Sequence, residues 1–300
     1  MATLSSALRA VDAAGTPGRP QRKPGPWGAL RAHPVGALGI FLLALFALNA
    51  LFADFIAPFD PVETNFDNIL TPPNETHWFG TDHFGRDVLS RVIHGGRTAL
   101  FIGFIAATVS SGIGLTLGVA SAYIGGTFDL LMQRVVDLFL AFPGIVLALA
   151  MISVFGTSLP HVILIITIVQ IPATVRITRA AALAIRETTY IDAAKALGYG
   201  AARIILRHVA PNIMGVFLVV VTGKVAQAIL LEASLSYLGL GVQDPQPAWG
   251  LMLRNGADQF IESAFWVPFY PGMAITITVL SCCFFGDSLR DALDPRLRRE

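Results

Sequence analysis

Long apolar runs separated by short polar stretches set the pattern of this chain. A helix needs about 20 apolar residues to cross roughly 30 Å of hydrocarbon. Six segments approach that length: Val35–Ala53, Thr98–Tyr123, Leu138–Phe155, Leu159–Val175, Ile213–Leu238 and Val267–Phe285. The pattern therefore predicts an all-α polytopic membrane protein with six spans. Only "GTSLP" (156–160) separates the third span from the fourth, and Pro143, Pro160 and Pro172 interrupt this region. Proline is tolerated in a membrane helix where neighbours satisfy the freed carbonyls.

The polar stretches add organisation. Residues 1–34 are rich in Ala, Gly, Pro and Arg, contain no apolar core and read as a disordered cytoplasmic tail ahead of a 35–300 transmembrane domain. Val35–Ala53 is too long for a signal core and reads as a retained anchor helix. Of the 21 Lys and Arg residues, Arg86, Arg91, Arg97 and Arg254 fall on one side of a six-span arrangement and Lys224 lies within a span. The other sixteen share the side of the N-terminus. Basic residues concentrate in cytoplasmic loops, so both termini and the 176–212 loop are expected in the cytoplasm.

Composition agrees with that class: 54% of residues are hydrophobic and 14% charged, against about a quarter charged in soluble domains. A net charge of +1 provides no basic field for nucleic acid. Cys282 and Cys283 are adjacent in an apolar run, a poor geometry for a disulfide or metal site, and read as packing residues.

Within the 176–212 loop lies "TTYIDAAKALGYG", residues 188–200. Thr189 with Asp192 three residues on matches a capping box, and Gly198 suits the left-handed residue that closes a helix. A two-turn helix over Tyr190–Leu197 is predicted. Ala193, Ala194 and Ala196 leave little bulk, so another surface has room to approach its backbone. The residues alone fit a membrane-surface connector equally well.

"DAAKALG" followed by "RHVAPN" resembles the E-A-A-x-x-x-G loop of bacterial ABC importer permeases, with Asp192 for Glu, His208 among apolar positions and Ala210 where Leu is usual. "HWFGTDHFGRDVLSRVIHGGRTAL" from His77, "LEASLSYLGLGVQDPQPAWG" from Leu231 and "FFGDSLRDALDPRLR" from Phe284 resemble one branch, the second permease of dipeptide, oligopeptide and nickel importers. The resemblance implies the type I permease fold in a bacterial inner membrane. It also implies a coupling helix docked on a separate ATPase, carried at Tyr190, Asp192, Ala193, Ala194, Leu197 and Gly198. The implied partners are a second permease forming a heterodimer, two ATP-binding subunits and an extracytoplasmic substrate-binding protein, all within the lipid bilayer or at its surfaces. Peptides are the implied substrate, with nickel or another small solute as the alternative.

Catalytic signatures are sparse. A P-loop requires G-x-x-x-x-G-K-[ST], and the only Gly-Lys pair, Gly223-Lys224, precedes Val225 inside a predicted span. ATP and Mg are accordingly expected on partner subunits, with no cofactor on this chain and no catalytic residues. His77, Asp82, His83, Asp87 and His94 share the first outer loop without a zinc spacing, and no metal site is assigned. The "GTDHFGRDVLSRV" segment reads instead as an Asp-capped loop leading into an amphipathic segment on the outer surface. Lys224 and Gln227 lie three apart in the fifth span, on one helix face, and are candidate path-lining residues or partner contacts; a Lys snorkelling to the interface is the plainer alternative. Glu232 belongs to "EASLSYLGLG", read as a turn near the outer face. Gly114 and Gly118 have the small-x-x-x-small spacing of close helix packing, within the chain or between subunits. A stand-alone secondary transporter normally has two related halves and membrane carboxylates, and neither is evident here.

Overall fold

The computed structural model describes residues 34–260 and 262–293. The N-terminal tail assigned to residues 1–34 lies outside the described residues except for Pro34. Among the described residues the regular structure is helical, apart from one isolated bridge between Thr81 and Asp87. The helices are α1 (Pro34–Leu51), α2 (Ala53–Ile56), α3 (Val88–Ile124), α4 (Gly126–Leu140), α5 (Gly144–Phe155), α6 (Leu159–Arg186), α7 (Thr189–Ala196), α8 (Ala201–Ile204), α9 (Ala210–Tyr237), α10 (Trp249–Gln259) and α11 (Trp266–Leu293). A π-helical turn, Ile205–Val209, joins α8 to α9. Pro211 follows it; proline has no N–H and crowds the carbonyl four residues back, so the preceding backbone must adjust.

Among the described residues five segments are long and apolar enough to cross a membrane: α1, α3, α6, the run from α8 to α9, and α11. The predicted third span, 138–155, is not one helix. It straddles a break at residues 141–143, where α4 and α5 meet at 88°, and this bent pair makes the sixth crossing if it counts as one. Pro143 is the N-cap of α5 and disfavours helical geometry at Phe142 before it. Two ion pairs to α6 set the course of α4: Arg179 Nε donates to Asp129 Oδ1 at 2.6 Å, and Arg176 pairs with Asp137.

At 37 residues, α3 is about 55 Å long at 1.5 Å per residue and extends beyond the hydrocarbon. Its principal neighbour is α6. The glycine spacing serves this internal contact: a methyl at Gly114 would sit 2.5 Å from Thr174 Cβ, and one at Gly118 would overlap Thr178 Oγ1. Thr178 Oγ1 shares its proton between Thr174 O of its own helix at 2.8 Å and Gly114 O at 2.9 Å, so glycine admits an interhelical hydrogen bond as well as close packing. Gly36 and Gly39 likewise bring α1 against Ser288 and Phe284 of α11.

Three apolar clusters run from end to end. One holds Val88, Trp249 and Trp266; a central one holds Ile102, Ile165, Ile166 and Leu235; the third, at the far end of α3, holds Val119, Ile191, Ile204 and Ile213. At the first end, Asp87 caps α3 by accepting from Ser90 N at 2.8 Å. The residues after it are not a separate amphipathic segment, as the sequence suggested, but the first turns of α3 itself. Buried Glu232 accepts from Ser236 Oγ at 2.7 Å, and that hydroxyl accepts from Val242 N at 3.2 Å, folding the chain back beyond Gly239 at φ 78°.

Gly114→Leu is expected to force α3 from α6 and destabilise the protein by about 1–3 kcal/mol, the usual range for overpacking. Gly112→Ala, whose methyl would meet nothing within 4 Å, is expected to leave the thermal midpoint of detergent-purified protein unchanged or slightly raised. Equal midpoints for the two variants would refute the close approach.

Candidate coupling and solute-path sites

The short helix α7 is rooted by one face. Ile191 and Ala194 are buried with Val119 and Ala122 of α3, Ala182 of α6, and Ile204, Val209 and Ile213 beyond α7. Burying one isoleucine side chain contributes about 1.5–3 kcal/mol, enough to hold a helix too short to persist alone in water. The opposite face is largely exposed. Tyr190, Ala193 and Leu197 follow one another at three and four residues, and Tyr190 and Leu197 are 45% and 73% exposed. Asp192 and Gly198 are also exposed, whereas Ala194 faces inward.

The two ends of α7 differ in how far sequence anticipated them. The helix begins at Thr189, with Thr188 as N-cap and no side-chain cap bond. Thr189 thus lies within the first turn rather than before it, and the expected capping box does not form. Thr188 Oγ1 turns back to Ile185 O, and Asp192 pairs with Lys195 at 2.9 Å. At the other end Gly198 has φ 78°, Gly198 N donates to Lys195 O at 2.9 Å and Tyr199 N to Ala194 O at 3.2 Å. These two bonds are the Schellman closure of a helix.

Aromatic contacts tie α7 to the start of α9, a feature that pattern reading missed. Tyr190 OH accepts from Asn212 Nδ2 at 3.2 Å, the His208 ring lies between those of Tyr190 and Tyr199, and Arg203 stacks over Tyr199 at 4.5 Å. Tyr, His and Arg at 190, 199, 203 and 208 were the available signal, but only folding shows that they meet.

The second candidate lies deep in the helix bundle. Lys224 is buried and Gln227 exposed, with Lys224 Nζ donating to Gln227 Oε1 at 3.2 Å. Behind them Gln170 Nε2 of α6 donates to Lys224 O at 3.2 Å, and Ser110 Oγ of α3 donates to Gln170 Oε1 at 3.2 Å. Three helices thus meet through one polar chain.

The first loop is closed by paired charges. Arg86 Nε donates to Asp82 Oδ2 at 2.7 Å, Arg86 and Arg91 reach Asp244 Oδ1 at 3.0 and 3.4 Å, and Arg91 donates to Pro61 O at 2.7 Å. Asp244 precedes α10, so the network clasps the loop to the α9–α10 connection. The nearby histidines take different partners: His77 Nδ1 lies 3.0 Å from Asp87 Oδ1 and His94 Nε2 3.2 Å from Asp54 Oδ1. Arg97 holds the Asp54 carboxyl below the usual carboxylate range, and His94 adds to the effect. Among the described residues no three His, Cys, Asp or Glu side chains gather where they could hold a metal.

The sequence profile described as "Binding-protein-dependent transport system inner membrane component" matches residues 114–299, more than half the chain. The chain belongs to this permease family. The N-terminal TM domain of oligopeptide transport permease C matches residues 26–73. The dipeptide transport system permease protein DppC of Alkalihalophilus pseudofirmus is 41% identical over 269 residues, covering 90% of this permease and 88% of that protein. The glutathione transport system permease protein GsiD of Pectobacterium atrosepticum is 37% identical, covering 90% and 89%. A chain of the inward-facing MetNI methionine ABC transporter aligns with TM-score 0.58 at 19% identity, over 68% of this permease and 96% of that chain. That likeness concerns the fold alone. This permease is thus a multi-pass membrane component of ABC importer type, and both candidate sites fall in the matched region.

Two outcomes are expected. Gly198→Val, at a left-handed position that costs an L-residue roughly 1–2 kcal/mol, should speed amide hydrogen exchange over 189–199 while leaving exchange over 82–91 unchanged. His83 packs against Phe84 and Phe260 with Nδ1 unpartnered, and burial lowers its pKa below 6.5. The unfolded chain then binds the proton more readily, so this contribution to stability is complete above pH 6.5 and is lost as pH falls toward the folded-state value. Protection factors over 77–91, taken relative to the intrinsic exchange rate at each pH, should fall below pH 6.5 in the wild type and less in His83→Phe; identical pH profiles would remove the assignment.

Proposed function

We propose that this permease is the transmembrane subunit of an ATP-driven importer of di- or oligopeptides. It pairs with a second permease in a bacterial inner membrane, and the solute path runs between the two. Two ATP-binding subunits work from the cytoplasm, using ATP and Mg, and a substrate-binding protein delivers peptide from outside. The chain itself is non-catalytic and carries no cofactor: its Gly223-Lys224 pair lies inside α9, where no phosphate-cradling loop exists. The printed functions of the relatives, dipeptide and glutathione transport, support the peptide assignment. The bias of basic residues toward α7 and both termini supports their placement in the cytoplasm.

One observation carries the coupling role. A helix buried on one side against α3, α6 and the start of α9 offers Tyr190, Ala193 and Leu197 on the other. A push on that stripe reaches three long helices without an intervening flexible segment, as rigid-body switching requires. Asp192 and Gly198 flank the stripe, while Ala194 acts from inside by letting the helix sit close.

Leu197→Asp tests this reading in the assembled transporter. Because the side chain is 73% exposed, the variant should insert with an unchanged thermal midpoint, yet lose peptide uptake and ATPase stimulation by the loaded binding protein. Wild-type uptake with Leu197→Asp, or contact between α7 and no ATP-binding subunit in a solved complex, would overturn it.

A further inference from the structure

Along α9, Gly223, Gln227, Leu230, Ser234 and Tyr237 recur at intervals of three and four and so share one face. Among the described residues nothing covers its middle: Gln227 and Leu230 are exposed, and a methyl at Gly223 would meet no atom within 4 Å. Hydrocarbon is a poor environment for the Gln227 amide, so this face calls for a polar neighbour. Beside it Lys224 is only 7% exposed, and its Nζ makes a single hydrogen bond, to Gln227 Oε1 at 3.2 Å. No carboxylate of the described residues forms an ion pair with it, although Arg86, Arg91, Arg97, Arg176 and Arg179 each have one. Gln170 and Ser110 hold the backbone at 224 from behind, which fixes the origin of the side chain. Since Gln227 Oε1 is engaged by Lys224, its Nε2 remains free to donate toward the uncovered face.

The amine and amide together form a donor pair without an anion, beside the open surface over Gly223. We propose that Lys224 and Gln227 form a carboxylate subsite on the solute path, where the free C-terminal carboxylate of a peptide in transit accepts from Lys224 Nζ and Gln227 Nε2. This rests on the peptide-import reading. The space over Gly223 suits a carboxylate carried on a peptide backbone. A site of one cation and one amide attracts an anion while still releasing it, as a conducting path requires.

The test uses the complete transporter, with both permeases, ATP-binding subunits and binding protein, reconstituted in proteoliposomes with alanyl-alanine as the probe. At saturating loaded binding protein, Lys224→Met is expected to lower the maximal uptake rate by about tenfold, the effect of losing one charge-assisted hydrogen bond. Lys224→Arg should restore most of it, and the half-saturating concentration of binding protein and the yield of assembled complex should stay at wild-type values. Undiminished uptake by Lys224→Met overturns the subsite alone. So does loss of assembled complex in that variant, which would make the pair a contact with the partner permease. A wild-type transporter that moves neither alanyl-alanine nor penta-alanine overturns the peptide-import reading and the subsite with it.

Discussion

Helices α3 and α6 approach at backbone distance because glycine stands at 114 and 118 opposite Thr174 and Thr178, and most of the architecture hangs on that contact. In lipid, apolar side chains gain little from meeting one another, so helix association depends on close packing and interhelical hydrogen bonds. Thr178 Oγ1 to Gly114 O provides both at one point. Because α3 extends through the bundle, the contact also aligns its two ends: the loop clasp around Asp87 at one, and the cluster that roots α7 at the other.

Charge placement follows the same economy. Arg86 and Arg91 lie buried in the loop clasp with Asp82 and Asp244, and Arg176 and Arg179 meet Asp137 and Asp129 where α4 crosses α6. Paired in this way, charged side chains help to specify which segments meet. Lys224 departs from this arrangement. It sits among three helices with a neutral amide as its partner, and a cation kept in that condition within a spanning helix points to function rather than packing.

The spans were largely legible because lipid requires every backbone group to be satisfied within the helix, which stamps long apolar runs on the sequence. The α4–α5 bend was not, since apolar residues continue on both sides of Pro143 and the ion-pair partners of α4, Arg176 and Arg179, lie far along the chain. Gly198 was readable because a left-handed φ is a local demand. The capping box failed for a tertiary reason: burial of Ile191 is served by a helix starting at Thr189, which moves the cap to Thr188.

By itself the sequence determined the helical class, the positions of most spans and the glycine that ends α7, all properties of neighbouring residues and the surrounding solvent. The tertiary structure decided that Ala194 faces the core while Tyr190, Ala193 and Leu197 face out, that Gly114 and Gly118 serve an internal contact, and that Lys224 is buried behind an exposed Gln227. Each of these depends on side chains dozens of residues away, and periodicity places a residue on a helix face without saying what that face will meet.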